Sequence, residues 1–262
     1  MTAASIAAPA AVAGDTVNVI VLKEHGVGSA AQAQPFLDKL MGVAAKQNGW
    51  GAAKGQYQTK RGDAEAWVQA EKPRYGILSL AAFLAWKGKF NVEPIGQAIV
   101  ARGGGQQYFL ISKTATNAAG CKGKKVASDH ADDARYIDKV VSDGSFKLGD
   151  FTLEATTRPV QTIKKVVNDE AECALIDDAQ LAELGKMEGA SAVKQIWASA
   201  KLPPMVVVAF PSAPAAESKA FQGNLPKLCE GEGKQACDEV GLNGMKSAGA
   251  SEYATVVAAY NK

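Results

Sequence analysis

The chain has two histidines, His25 and His130, and carboxylates crowd the second: Asp129, Asp132 and Asp133 stand within three residues of it. Such a cluster has the residue types for general acid–base work or for holding a cation. Asp132 and Asp133 also have a plainer use, since a helix expected over 129–141 would carry them in its first turn, beside the positive pole of its dipole. Other candidates stand at the ends of expected elements. Ser79 closes an apolar strand, Thr156-Thr157-Arg158 closes another, and Asp177-Asp178 stands where a strand becomes a helix, a place where a carboxylate serves equally as ligand acceptor or helix cap. His25 follows the first strand, where it faces either a cleft or a surface loop, and its neighbours Lys23 and Glu24 are expected to pair with solvent.

No catalytic signature accompanies these residues. G-x-S-x-G, G-x-x-x-x-G-K and H-E-x-x-H are all absent, and Gly103-Gly104-Gly105 lacks the spacing of a dinucleotide loop. Neither an enzyme nor a cofactor is therefore expected; a hydrolytic or metal-dependent centre around His130 is the alternative from another class. Cys121, Cys173, Cys229 and Cys237 fit no zinc template. Their even number suits two disulfides. Cys229 and Cys237 flank a short Gly-rich loop; Cys121 and Cys173 each precede an expected strand and can meet if those strands are parallel neighbours, buried free thiols being the other reading. This usage points to an oxidising compartment.

The positioning elements follow from patterning. A β-branched strand over 16–22 leads to a helix over 30–48, with Ser29 as cap and Phe36, Leu37, Leu40, Met41, Val43 and Ala44 as its apolar face. A weaker strand over 56–59, a helix capped by Asp63, a buried strand over 75–80, a helix over 81–87 and an extended segment over 93–102 complete a first series. After the glycine hinge the pattern restarts, with strands over 108–112, 124–127, 151–156, 173–177 and 193–198. Helices over 129–141, 160–168 and 178–186 lie between them. Past Pro203-Pro204, the strand 205–210 returns to the first sheet, followed by helices over 215–228, 237–240 and 252–260. Alternating strands and helices predict a wound α/β architecture with ligands at the carboxyl ends of the strands. The expected lobes are residues 14–102 with 204–262, and residues 103–203, joined by two crossover segments.

Composition bounds the partners. Over 262 residues, 47% are hydrophobic and 21% charged, with a net charge of +2. Nothing suggests nucleic-acid binding, and no apolar run reaches the roughly 18 residues of a membrane span. The Ala-rich opening lacks a basic start and a continuous apolar stretch; Ala11-Val12-Ala13 before Gly14 fits either the remnant of a cleavage site or a disordered mature terminus.

Several stretches carry a family resemblance: Tyr75-Gly76-Ile77-Leu78-Ser79-Leu80-Ala81-Ala82-Phe83, the run from Val92 to Ile111, Lys122 to Asp129, Ala174 to Asp177, and Cys237 to Met245. Over residues 15–262 the chain resembles the type II periplasmic solute-binding proteins, in their phosphate/phosphonate-binding branch. The resemblance implies an α/β fold of two lobes, two crossovers and an interlobe ligand cleft. It further implies a monomer that passes a small molecule to inner-membrane transporter components. In that branch an anion sits at a helix N-terminus, and the matching place here is Ser128-Asp129-His130, followed by Asp132 and Asp133. Three carboxylates there would repel a dianion by about 1 kcal/mol per pair at contact in water. In the first lobe Ser79 is a single hydroxyl among Leu78, Leu80 and Phe83, a lining that suits a largely apolar ligand. The leading expectation is therefore a periplasmic carrier of a sterol or similar lipid, by analogy with periplasmic carriers of bacterial sterol transport. A phosphonate, phosphate ester or small cation taken for an ABC transporter is the alternative. Gln107 and Tyr108 are expected in the cleft wall, because crossover strands pass behind the ligand in this architecture, with His25, His130, Thr157 and Asp177 as polar anchors.

Overall fold

The computed structural model describes residues 15–25, 30–101 and 104–262. The Ala-rich opening, the expected cap Ser29 and the first hinge glycine, Gly103, lie outside them.

β1 (Thr16–Leu22) buries Val17, Val19, Ile20 and Leu22, as a strand covered on both faces must. α1 (Ala30–Asn48) buries Leu37, Leu40, Met41 and Ala44 at helical spacing, while Phe36, expected on that face, lies at its edge, 40% exposed. β2 (Ala52–Gln58) and α2 (Arg61–Glu71) follow. Lys60 takes the cap position of α2, and Asp63 lies within the first turn instead of capping it. β3 (Tyr75–Leu78) is buried throughout and stops where the Ser79 Oγ accepts the Ala82 N–H at 3.3 Å, starting α3 (Leu80–Lys89). β4 (Glu93–Val100) then leads out of this layer. The hinge turns at Gly104 and Gly105, whose φ angles of 145° and 75° lie in the region that side chains other than glycine avoid.

β5 (Tyr108–Ser112) opens the second layer, which continues through β6 (Lys125–Ser128). The helix expected from Asp129 begins only at Ala134: α4 (Ala134–Tyr136) is a single turn that passes into a π-helical turn, Ile137–Val141. Local hydrogen bonds hold the chain off the helix until then. The Ser128 Oγ takes the His130 N–H, and the Asp133 Oδ1 accepts the Tyr136 N–H as an N-cap. The aspartates at 129, 132 and 133 are thus not first-turn charges. β7 (Thr152–Ala155), α5 (Pro159–Val167), β8 (Cys173–Asp177), α6 (Asp178–Leu184) and β9 (Lys194–Ala198) complete the layer.

β10 (Met205–Ala209) returns to the first layer, followed by α7 (Ala215–Asn224), α8 (Gly233–Glu239), β11 (Leu242–Ser247) and α9 (Ala250–Tyr260). β11 lacks an apolar signature because only Leu242 and Met245 are buried, with a register shift between Leu242 and Gly244.

Among the described residues the strands form two mixed sheets, ordered β11-β4-β10-β3-β1-β2 and β7-β6-β8-β5-β9. β10 lies between β3 and β4, antiparallel to both. β6 and β8 are parallel neighbours, which brings Cys121 and Cys173 together as a disulfide; Cys229 and Cys237 form the other. One apolar core runs through both layers, joining Ile20, Leu78 and Phe83 to Leu110, Val126 and Leu175. The end of α9 reaches the second layer, where Arg135 donates to the Tyr260 carbonyl at 2.9 Å and lies over its ring.

Candidate functional site

A cavity of about 850 Å³ lies between the two sheets. One wall comes from the carboxyl ends of β1 and β3: Lys23, Glu24 and His25 after the first, Ser79, Leu80 and Ala81 after the second. The facing wall carries His130, Asp133 and Tyr136, then the starts of α5 and α6, while the hinge, Tyr108, Pro203 and Met205 lie along the two connections.

Glu24 organises the first wall. Arg61 grips its carboxylate with two hydrogen bonds, 2.7 and 3.1 Å, and Ser79 donates to it at 2.7 Å. The same guanidinium reaches the opposite wall, 2.7 Å from Asp133 Oδ2. One arginine therefore bridges the walls, between two carboxylates whose side chains are 6% and 11% exposed. The expectation that Glu24 pairs with solvent is not met. Ser79 is also engaged, donating to Glu24 and accepting from Ala82.

The two histidines meet across the cavity, edge on at 4.5 Å between ring centroids. Burial and then the charge of His130 push the His25 pKa down, against the carboxylates of Asp132, Glu24 and Asp129. Tyr108 packs its ring edge on against His130 at 5.0 Å, and burial raises its phenol pKa well above the ordinary value. Asp177 caps α6, accepting the Gln180 N–H at 2.9 Å; burial raises its pKa while the nearby His130 charge opposes the rise. Lys23 is the counterweight. Burial lowers its ammonium pKa, Asp177 works the other way, and no carboxylate among the described residues lies within ion-pair distance of it. Beside it α3 begins, where the first amides of a helix have no partner within the helix.

Six expected site residues line the cavity: His25, Ser79, Leu80, Tyr108, His130 and Asp177. Six do not. Leu78 ends a central strand and Phe83 packs against Tyr253 on α9, 5.3 Å between centroids, both completely buried in the core. The expected apolar pocket wall therefore loses two of its three side chains, because a buried strand end and the inner face of a helix point into the layers. Gln107 spends its amide on the Ser199 carbonyl at 2.7 Å, and Ser128 donates to the Leu175 carbonyl at 3.0 Å. Asp129 is buried behind the wall, and Thr157 stands on an exposed loop. The expectations missed Lys23, Arg61, Tyr136 and Gln180. Lys23 had a signal, since it directly follows β1 at the carboxyl edge. Arg61, a helix-start residue 36 positions past His25, had none. Among the described residues no group of three or more histidine, cysteine, aspartate or glutamate side chains forms a metal-binding set.

No protein-family model matches the sequence, and no curated protein matches it. Solved structures do. PhnD1 from Prochlorococcus marinus in complex with methylphosphonate superposes with a TM-score of 0.66 at 10% identity, over 92% of this chain and 95% of that one. The binding-protein component of an ABC phosphonate transporter from Pseudomonas aeruginosa gives 0.65 at 13%, over 93% and 84%. The periplasmic aliphatic sulphonate-binding protein SsuA from Escherichia coli gives 0.58 at 12%, over 94% and 82%. The chain has the type II periplasmic-binding-protein fold. The cavity between the sheets is bordered by charge. Lys23, Glu24, Asp133, Asp177, Asp178, Glu183 and Lys186 all line it, together with apolar side chains such as Leu80, Ile137 and Ile163.

Proposed function

We propose that this protein is a periplasmic solute-binding protein of an ABC-type transporter. Its ligand is a small organic solute that carries an oxyanion of the phosphonate, phosphate-ester or sulfonate kind together with a cationic group. The lobes are residues 14–102 with 204–262, and residues 103–203, and they close over the solute by hinge motion at the two connections. The carrying observation is the pairing of opposite charges in one cavity: Lys23 is a half-buried cation without an ion-pair partner among the described residues, while Asp177 and Asp178 are carboxylates at the other wall. Partial desolvation of an unpaired charge is unfavourable, so a solute with both signs satisfies both walls. The oxyanion lies at Lys23 and the first turn of α3, where helix amides and dipole favour negative charge. The fold neighbours, a binding component of a phosphonate transporter, a protein in complex with methylphosphonate and an aliphatic sulphonate-binding protein, support this class over a lipid. The two disulfides suit an oxidising compartment, and among the described residues no helix is long and apolar enough to cross a membrane.

A thermal-shift series with an aminoalkylphosphonate, an alkylphosphonate, an aminoalkylsulfonate and a simple alkylamine tests the reading. A bound ligand raises the melting temperature with its concentration. The expected order places the solutes with both charges first. Retention of a lipid through purification, with no shift from any of the four, would overturn it.

A further inference from the structure

The side-chain amide of Gln180 has only one workable orientation. Its nitrogen lies 2.9 Å from the Asp129 Oδ1 and 3.2 Å from the Pro159 carbonyl, both acceptors; its oxygen lies 2.9 Å from the Asp177 N–H, a donor. A flipped amide would set oxygen against two acceptors and N–H against a donor. The same oxygen lies 3.3 Å from the Nε2 of His130, so that nitrogen must carry a hydrogen. In the neutral ring the other nitrogen, Nδ1, is then bare. It has no hydrogen-bond partner among the described residues, and the ring lines the cavity with its Nε2 side toward Asp177, 4.0 Å from the Asp177 Oδ2.

We infer that Asp129 and Gln180 form a relay that holds His130, when its ring is neutral, as the Nε2–H tautomer, so that the uncharged ring meets the solute as an acceptor and, with Asp177, selects a donating group such as an ammonium. Asp129 does not reach the cavity. It is a positioning residue: its Oδ1 takes hydrogen bonds from Gln180 and from the Thr162 hydroxyl at 3.0 Å, while its buried Oδ2 has no partner. A buried carboxylate oxygen left bare costs stability, and the relay supplies a function for that cost. Two acceptors at this end of the cavity exclude an oxyanion from it, which leaves the solute one orientation. The orientation rests on the function proposed above; the tautomer does not.

The first measurement is a long-range ¹H–¹⁵N correlation of the ring nitrogens in ligand-free protein at about pH 8.5, above the ordinary histidine range. The expected result is one His130 tautomer, protonated at Nε2. In Gln180→Met the Nδ1–H form appears as a second population. In Asp129→Asn, whose side-chain carbonyl still accepts from Gln180, the native tautomer is kept, and a second population there would overturn the relay; should Gln180→Met not fold, the native tautomer and this variant remain as its tests. Gln180→Met should also weaken an aminoalkylphosphonate by roughly fivefold to tenfold, the loss of about one hydrogen bond, and change methylphosphonate less than twofold. A native ring protonated at Nδ1, or a tautomer unmoved by Gln180→Met, overturns the relay. The expected tautomer with no binding of either probe upholds the relay and overturns the solute it was inferred to select.

Discussion

Lys23 carries a half-buried charge, and partial desolvation lowers its ammonium pKa. Replacing it with methionine removes that desolvated charge along with the oxyanion anchor. Lys23→Met should raise the urea midpoint of the ligand-free protein by the equivalent of up to about 1 kcal/mol and weaken phosphonate binding at least tenfold by calorimetry. A variant that lost stability and kept affinity would contradict the assigned role. His25 gives a second residue-scale expectation. Its folded pKa lies below the unfolded value of about 6.5, so the unfolded chain takes up the proton first as pH falls. Its contribution is therefore intact above that value and is lost as pH drops through it toward the lowered folded pKa. Thermal melts from about pH 7.5 to 5 should show a steeper loss for the native protein than for His25→Asn. At this scale the sequence was only half legible. His25, His130 and Asp177 stood out by type and by their place at strand ends, whereas the same reasoning assigned Glu24 to solvent because nothing local announces Arg61 beside it.

Elements were far more legible than contacts. The limits of β1, β5, β8 and α1 follow from β-branched and helical patterning. The start of α4 does not, because the side chains of Ser128 and Asp133 compete for the backbone in a way that hydrophobic periodicity does not register. Leu78 and Phe83 misled for the opposite reason: apolar residues near a strand end were read as a pocket wall, but the layers on either side claim them. The disulfides give an element-scale test. Cys121–Cys173 closes a separation of 52 residues and Cys229–Cys237 one of 8. In the chain-entropy account these are worth about 4 and about 2.5 kcal/mol. Removing the first pair by double alanine substitution should thus lower the denaturant midpoint more than removing the second. The α2 contribution is tested by Arg61→Met, which leaves Glu24 and Asp133 without their shared cation. A loss of about 3–5 kcal/mol is expected, since an uncompensated buried charge is the costly case.

Among the described residues the Arg61–Asp133 pair joins the two cavity walls through a guanidinium. Asp133→Asn removes the charge and retains the oxygen that caps α4, so the fold should survive while the ligand-free lobes part more readily. Small-angle scattering should then give a larger radius of gyration than the native protein without ligand, and the same radius when ligand is saturating. The two-layer plan and its return strand were visible in the sequence because Met205–Ala209 is too apolar to lie anywhere but inside a sheet. That return strand governs the order of assembly. β3 and β4 flank a vacant lane until residue 209 has emerged from the ribosome, whereas every strand of the second sheet lies in the single stretch from Tyr108 to Ala198. Pairings distant along the chain form slowly. Pulse-labelled hydrogen exchange during refolding should therefore protect the amides of β5 and β8 before those of β3 and β4. A nascent chain that has not yet added this lane cannot join β3 to β4, so the first sheet closes only after the second has its full set of strands.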